Sequence, residues 1–124
     1  MTGSTEDLAA EGLTITTDDR DAATVVTLSG ELDLMSAGAA RAAIERPLID
    51  GATALVVDLT PLDFIDSSGL GVLVRTHKKA RVLRTPFAVV CPPGTAHRLL
   101  SITGLLQALR VHETRAEALA SLEE

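Results

Sequence analysis

The densest group of chemistry-bearing side chains is Asp63, Asp66, Ser67 and Ser68, followed directly by Gly69 and Gly71. Two carboxylates beside two hydroxyls could serve three ends. The first is structural: Asp66 or a serine accepts from the free N–H groups that open a helix, and the glycines permit close packing. The second is nucleophilic. A serine nucleophile on a strand-to-helix turn wants glycine two positions before it and two after. Ile65 stands two before Ser67 and Asp66 two before Ser68, so neither serine has the leading glycine. No neighbouring feature marks His77, His97 or His112 as the base. The third end makes a serine the substrate. A hydroxyl at a helix start is exposed and rigidly held, and the helix dipole tolerates a phosphate there. Phosphorylation would add about −1.5 to −2 charges to a surface already bearing Asp63 and Asp66. Such chemistry switches a partner surface without switching the fold.

Other signatures are missing. Gly69-x-Gly71 has Val74 where a dinucleotide fingerprint needs its third glycine, and no phosphate-binding Gly-x-x-x-x-Gly-Lys-Ser/Thr loop occurs. The histidines lack a His-x-x-x-His spacing. Cys91 is the single cysteine, which excludes an internal disulfide and a multi-cysteine zinc site. It lies in an apolar run and reads as a small core residue. The basic stretch from Arg75 to Arg84 reads as a solvated helix face. No catalytic activity, cofactor or metal is expected.

These side chains need a scaffold, and 124 residues supply one domain. Hydrophobic residues make up 46% and charged residues 23%, enough apolar material for one closed core. With no Trp or Tyr and only Phe64 and Phe87, the chain lacks aromatic platforms for stacking bases. Its formal net charge of −6 also repels phosphate backbones, so no direct nucleic-acid binding is expected. Residues 1–12 are polar and acidic and are expected to form a flexible tail ahead of a domain at 13–122. They show no signal-peptide pattern. No apolar run approaches the ~18 residues that cross a bilayer. The expectation is a cytoplasmic protein without a membrane segment.

Within the domain, Leu13–Thr17 and Ala23–Leu28 alternate apolar and polar residues, which predicts an antiparallel hairpin turning at Asp18–Asp21. Asp33 or Ser36 should cap a helix over 36–46 that stops at Pro47. The run Leu55-Val56-Val57-Asp58-Leu59 is aliphatic and β-branched on both faces apart from Asp58, as in a central strand covered by helices on each side. A short extended segment at Asp63–Ile65 then enters a helix over 68–81, with Asp66 and Ser67 just outside it. Leu70, Leu73, Val74 and His77 give that helix one apolar stripe. Phe87–Cys91 is a further strand, Thr95 caps a helix to Ile102, Leu109–Val111 is an edge strand, and 113–122 is the last helix. The fold class is α/β, a mixed sheet with packed helices.

Asp63-Phe64-Ile65-Asp66-Ser67-Ser68-Gly69-Leu70-Gly71-Val72-Leu73 closely resembles the signature loop of STAS domains, specifically the bacterial anti-sigma-factor antagonists. Gly30-Glu31-Leu32-Asp33 and Thr103-Gly104-Leu105 agree with it in order and spacing, so the resemblance covers roughly residues 13–122. It implies a single STAS-like domain and a partner-switching phosphoprotein that regulates transcription through a sigma factor. In that family the unphosphorylated antagonist binds an anti-sigma factor with serine kinase activity, which frees the sigma factor. The kinase modifies the first serine after the loop aspartate, here Ser67 after Asp66. A serine phosphatase acting on phospho-Ser67 reverses the step. Asp33, Asp63, Asp66, Ser67, Ser68, Gly69 and Leu70 would make the partner-binding surface. The resemblance also leaves open a scaffold subunit of a stress-sensing complex, or a nucleotide- or lipid-sensing STAS module.

Overall fold

A computed structural model describes residues 5–20 and 23–123. The alternating segments form strands β2 (Leu13–Arg20) and β3 (Ala23–Leu32), paired antiparallel from Leu13↔Gly30 to Arg20↔Ala23. Asp18 to Arg20, expected in the turn, extend β2 instead; the Thr24 hydroxyl donates to Asp19 Oδ1 across the pair at 3.0 Å. Asp21 lies outside the described residues.

The expected tail needs correction. Thr5–Ala10 forms β1, antiparallel to β2 from Thr5↔Asp18 to Ala10↔Leu13. Glu11 (φ 49°) and Gly12 (φ 85°) are both left-handed, the two-residue turn whose twist matches a hairpin. Glu-Gly lacks the Asn or Asp that usually announces such a turn, and the acidic composition conceals the strand. Residues 1–4 lie outside the described residues.

Eight further elements, and a single helical turn, complete the chain. They are α1 (Ala37–Ile49), β4 (Leu55–Asp58), β5 (Leu62–Ile65), α2 (Ser67–Leu83), β6 (Phe87–Val90), α3 (Thr95–Ile102), the turn α4 (Leu105–Ala108), β7 (Val111–His112) and α5 (Arg115–Ser121). The sheet runs β1-β2-β3-β4-β6-β7, with β5 pairing in parallel beside the end of β3. Antiparallel pairs on one side and parallel pairs on the other make it mixed, as expected.

Every residue of β4 and β6 is buried, because both faces are covered. Val26, Leu28, Leu55, Val57 and Val89 face α1, α2 and α3 with Ile44, Leu48, Leu73 and Leu100. Val25, Val56, Ala88 and Val90 take the opposite parity and meet Ala118 of α5. Burying the larger face alone supplies most of the hydrophobic stabilisation, at roughly 1.5–3 kcal/mol for each aliphatic side chain.

Several boundaries differ from expectation. α1 carries Pro47 in its last turn rather than stopping there, since Pro47 and Leu48 are buried and that packing outweighs the one N–H a proline lacks. Gly94, not Thr95, precedes α3, and it does so without a side-chain cap. The edge strand lies at Val111–His112 instead of 109–111, because α4 occupies the preceding turn and Leu109 is buried below it.

Candidate functional site

Two chain segments converge where β3 and β5 end side by side. Leu32 pairs with Ile65, so the residues that follow each strand emerge together: Asp33–Ser36 from β3, Asp66 and α2 from β5. Gly69 makes this possible. A Cβ there would lie 2.8 Å from the Leu32 carbonyl oxygen and 2.7 Å from Ile65 Cγ1, so only glycine lets α2 start so close to both strands.

Asp66 is the N-cap of α2. Its Oδ1 accepts from the Gly69 amide at 3.1 Å, and its Oδ2 accepts from the Leu34 amide at 3.3 Å. One carboxylate therefore fixes both the helix start and the loop beyond β3. Asp33 orders the same loop from within: its Oδ1 accepts from the Met35 amide at 3.0 Å and the Ser36 amide at 3.2 Å. Ser36 is fully buried, accepting from the Asp33 amide and donating to the Glu31 carbonyl. Of the two expected caps for α1, Ser36 holds the N-cap position without a side-chain cap bond, while Asp33 organises the turn.

Ser67 is the first residue of α2 rather than a residue outside it, and it is exposed. Ser68 behind it is half-buried. Asp63 and Phe64 are exposed on β5. The structure thus brings Asp33, Asp63, Asp66, Ser67 and Ser68 to one end of the sheet. Gly69 is buried beneath that end, and Leu70 is half-buried against the core, so these two residues shape the site from below. The Thr103-Gly104-Leu105 element forms the bend between α3 and α4, with Gly104 left-handed at φ 77°.

Two features escaped the sequence. Leu34 and Met35, 74% and 67% exposed, stand at the tip of the β3–α1 loop directly beside Asp66. Two adjacent large apolar residues between the turn formers Asp33 and Ser36 were the available signal. The second is Asp58, which shares the parity of Val56 and is buried at the end of β4. Arg115 Nη2 and Nε donate to its Oδ2 at 2.8 and 3.1 Å, and Nη2 also donates to Thr27 Oγ1. Thr60 supplies its amide to Oδ1 at 2.9 Å. This network pins α5 to the sheet on the face opposite α2. Burial, with a smaller contribution from Asp58, pushes the Cys91 thiol up to about 11. Among the described residues no group of three His, Cys, Asp or Glu is placed to hold a metal ion, and no helix is long and apolar enough to cross a membrane.

The STAS domain family model matches residues 14–118, a span holding both convergent segments. The chain belongs to the STAS domain family. This STAS domain is 32% identical over 114 residues to the anti-sigma-F factor antagonist RsfB of Mycobacterium tuberculosis, covering 92% of this chain and 93% of the relative. It is 34% identical over 103 residues to the anti-sigma F factor antagonist of Paenibacillus polymyxa, covering 80% and 86% respectively. Its fold superposes on the crystal structure of an anti-sigma factor antagonist from Mycobacterium paratuberculosis with a TM-score of 0.82 and 31% identity. That alignment covers 98% of this chain and 96% of the other.

Proposed function

We propose that this STAS domain is an anti-sigma factor antagonist that works in the cytoplasm by partner switching. Its unphosphorylated form binds an anti-sigma factor that is also a serine kinase, and phosphorylation of Ser67 ends the binding. The chain performs no catalysis itself; the kinase brings the ATP, and a separate serine phosphatase restores the hydroxyl.

The observation that carries this reading is the position of Ser67. It is exposed at the first turn of a seventeen-residue helix, next to an ordered loop and the Asp63 and Asp66 carboxylates. The helix start accommodates a phosphate electrostatically, so modification leaves the fold standing. A partner packed around the hydroxyl meets nearly two new charges instead. Desolvation and like-charge repulsion should weaken binding by about 2–4 kcal/mol, roughly 30- to 1000-fold.

The test measures affinity for the cognate anti-sigma factor before and after kinase treatment. Ser67→Ala should bind throughout, and wild type should be released on phosphorylation. Equal affinity of phosphorylated and unphosphorylated wild type would exclude the switch.

A further inference from the structure

We propose that Leu34 and Met35 form an apolar anchor that enters an apolar pocket, bordered by basic side chains, on the anti-sigma factor. The inference rests on the partner-switching reading and adds to it the residues that select the partner. The G-E-L-D element stops at Asp33, one position before the anchor begins.

Exposure and rigidity occur together at this tip. Large aliphatic side chains on a flexible loop lose conformational entropy when they dock, whereas a pre-ordered pair loses little. Here the backbone under both residues is held: the Leu34 amide donates to Asp66 and the Met35 amide to Asp33. Ser36, fully buried, ties the loop to the Glu31 carbonyl. The side chains nevertheless stand 74% and 67% exposed. Interface anchors have these properties, apolar bulk presented on a fixed backbone.

Charge identifies the occupant. Segments 30–36 and 60–70 contain Glu31, Asp33, Asp63 and Asp66 and no Lys or Arg. A second copy of this chain would set those carboxylates against their own kind, and an anionic membrane would repel them. A protein pocket with a basic rim satisfies both the apolar tip and its acidic surround. The Asp66–Leu34 hydrogen bond makes the tip continuous with the phosphorylation site, so one partner covers both.

Calorimetry of the full chain against the purified anti-sigma factor kinases of the same cell tests the proposal. Leu34→Ala and Met35→Ala each keep the backbone amide and should lower affinity about tenfold. Their double variant should lose more, and its binding heat-capacity change should be less negative. The fold-loss should be the same at low and high salt, unlike that of Asp63→Asn. Melting temperatures should match wild type, since both side chains are exposed. Affinities within twofold of wild type, with phosphorylation of Ser67 still releasing the kinase, would overturn the anchor and leave the switch intact. If no kinase binds wild type, the switch itself fails and the anchor with it. Loss of self-association or of binding to phosphatidylglycerol vesicles in the variants, with kinase affinity unchanged, would also overturn it.

Discussion

The Asp66 carboxylate accepts the Leu34 amide at 3.3 Å across 32 positions of sequence, while its other oxygen caps α2 through Gly69. A single side chain thereby sets the distance between the proposed phosphoacceptor and the loop beside it. Asp66→Ala should remove the cap and free the loop, lowering stability by about 1–2 kcal/mol in urea denaturation. Asp66→Asn keeps one acceptor oxygen and should fall between the two. Equal stability of all three proteins would show that neither hydrogen bond matters.

Gly69→Ala should destabilise despite alanine's better helix propensity. Alanine favours a helix interior by about 1 kcal/mol over glycine. The new Cβ, however, would press on the Leu32 carbonyl and the Leu32 and Ile65 side chains inside 3 Å. Overpacking of that kind costs about 1–3 kcal/mol, so the net change should be a lower midpoint in thermal melting. A raised midpoint would contradict the close approach of α2 to β3 and β5.

Arg115→Met leaves the buried Asp58 carboxylate without its cation. Breaking such a pair costs about 3 kcal/mol, reduced here because Arg115 is partly solvent-exposed and Thr60 still donates to Asp58. Denaturant titration should show the loss, while kinase treatment should modify Ser67 at an unchanged rate, since α5 lies on the opposite face of the sheet. A slowed modification would mean that the two faces are coupled.

Cys91 should resist alkylation by iodoacetamide at pH 8 in the folded protein and react at once in denaturant. Burial raises its thiol from 9.0 to about 11, so the folded state holds its proton longer than the unfolded chain does. Its contribution to stability is therefore full below about pH 9 and declines as pH rises toward 11. Cys91→Ala should remove that part of the alkaline slope. Fast alkylation of the native protein would contradict the burial.

Much of this architecture was legible because it follows from periodicity. The alternation of β2 and β3 and the aliphatic run of β4 predicted a mixed sheet, and the stripe of Leu70, Leu73, Val74 and His77 predicted α2. The face α2 buries, however, is Gly69, Val72, Leu73, Thr76 and Ala80, which shares only Leu73 with that stripe. β1 was not legible, because its Glu-Gly turn is a weak signal and its composition is that of a tail. Nor were pairings across long separations. Nothing local says that Asp66 will reach Leu34 or that Asp58 will meet Arg115; the first depends on which strands end side by side, the second on how α5 packs across the sheet. Asp66 as the cap of α2 was readable as one of several alternatives, and the geometry selects it.

Partner switching requires that Ser67 be the residue that is modified. Mass spectrometry of the intact chain and its peptides, after incubation with the cognate anti-sigma factor kinase and ATP, tests this directly. A single phosphate on Ser67, absent from Ser67→Ala and accompanied by release of the kinase, is the predicted result. Phosphate on Ser68 or a threonine with Ser67 unmodified would contradict it.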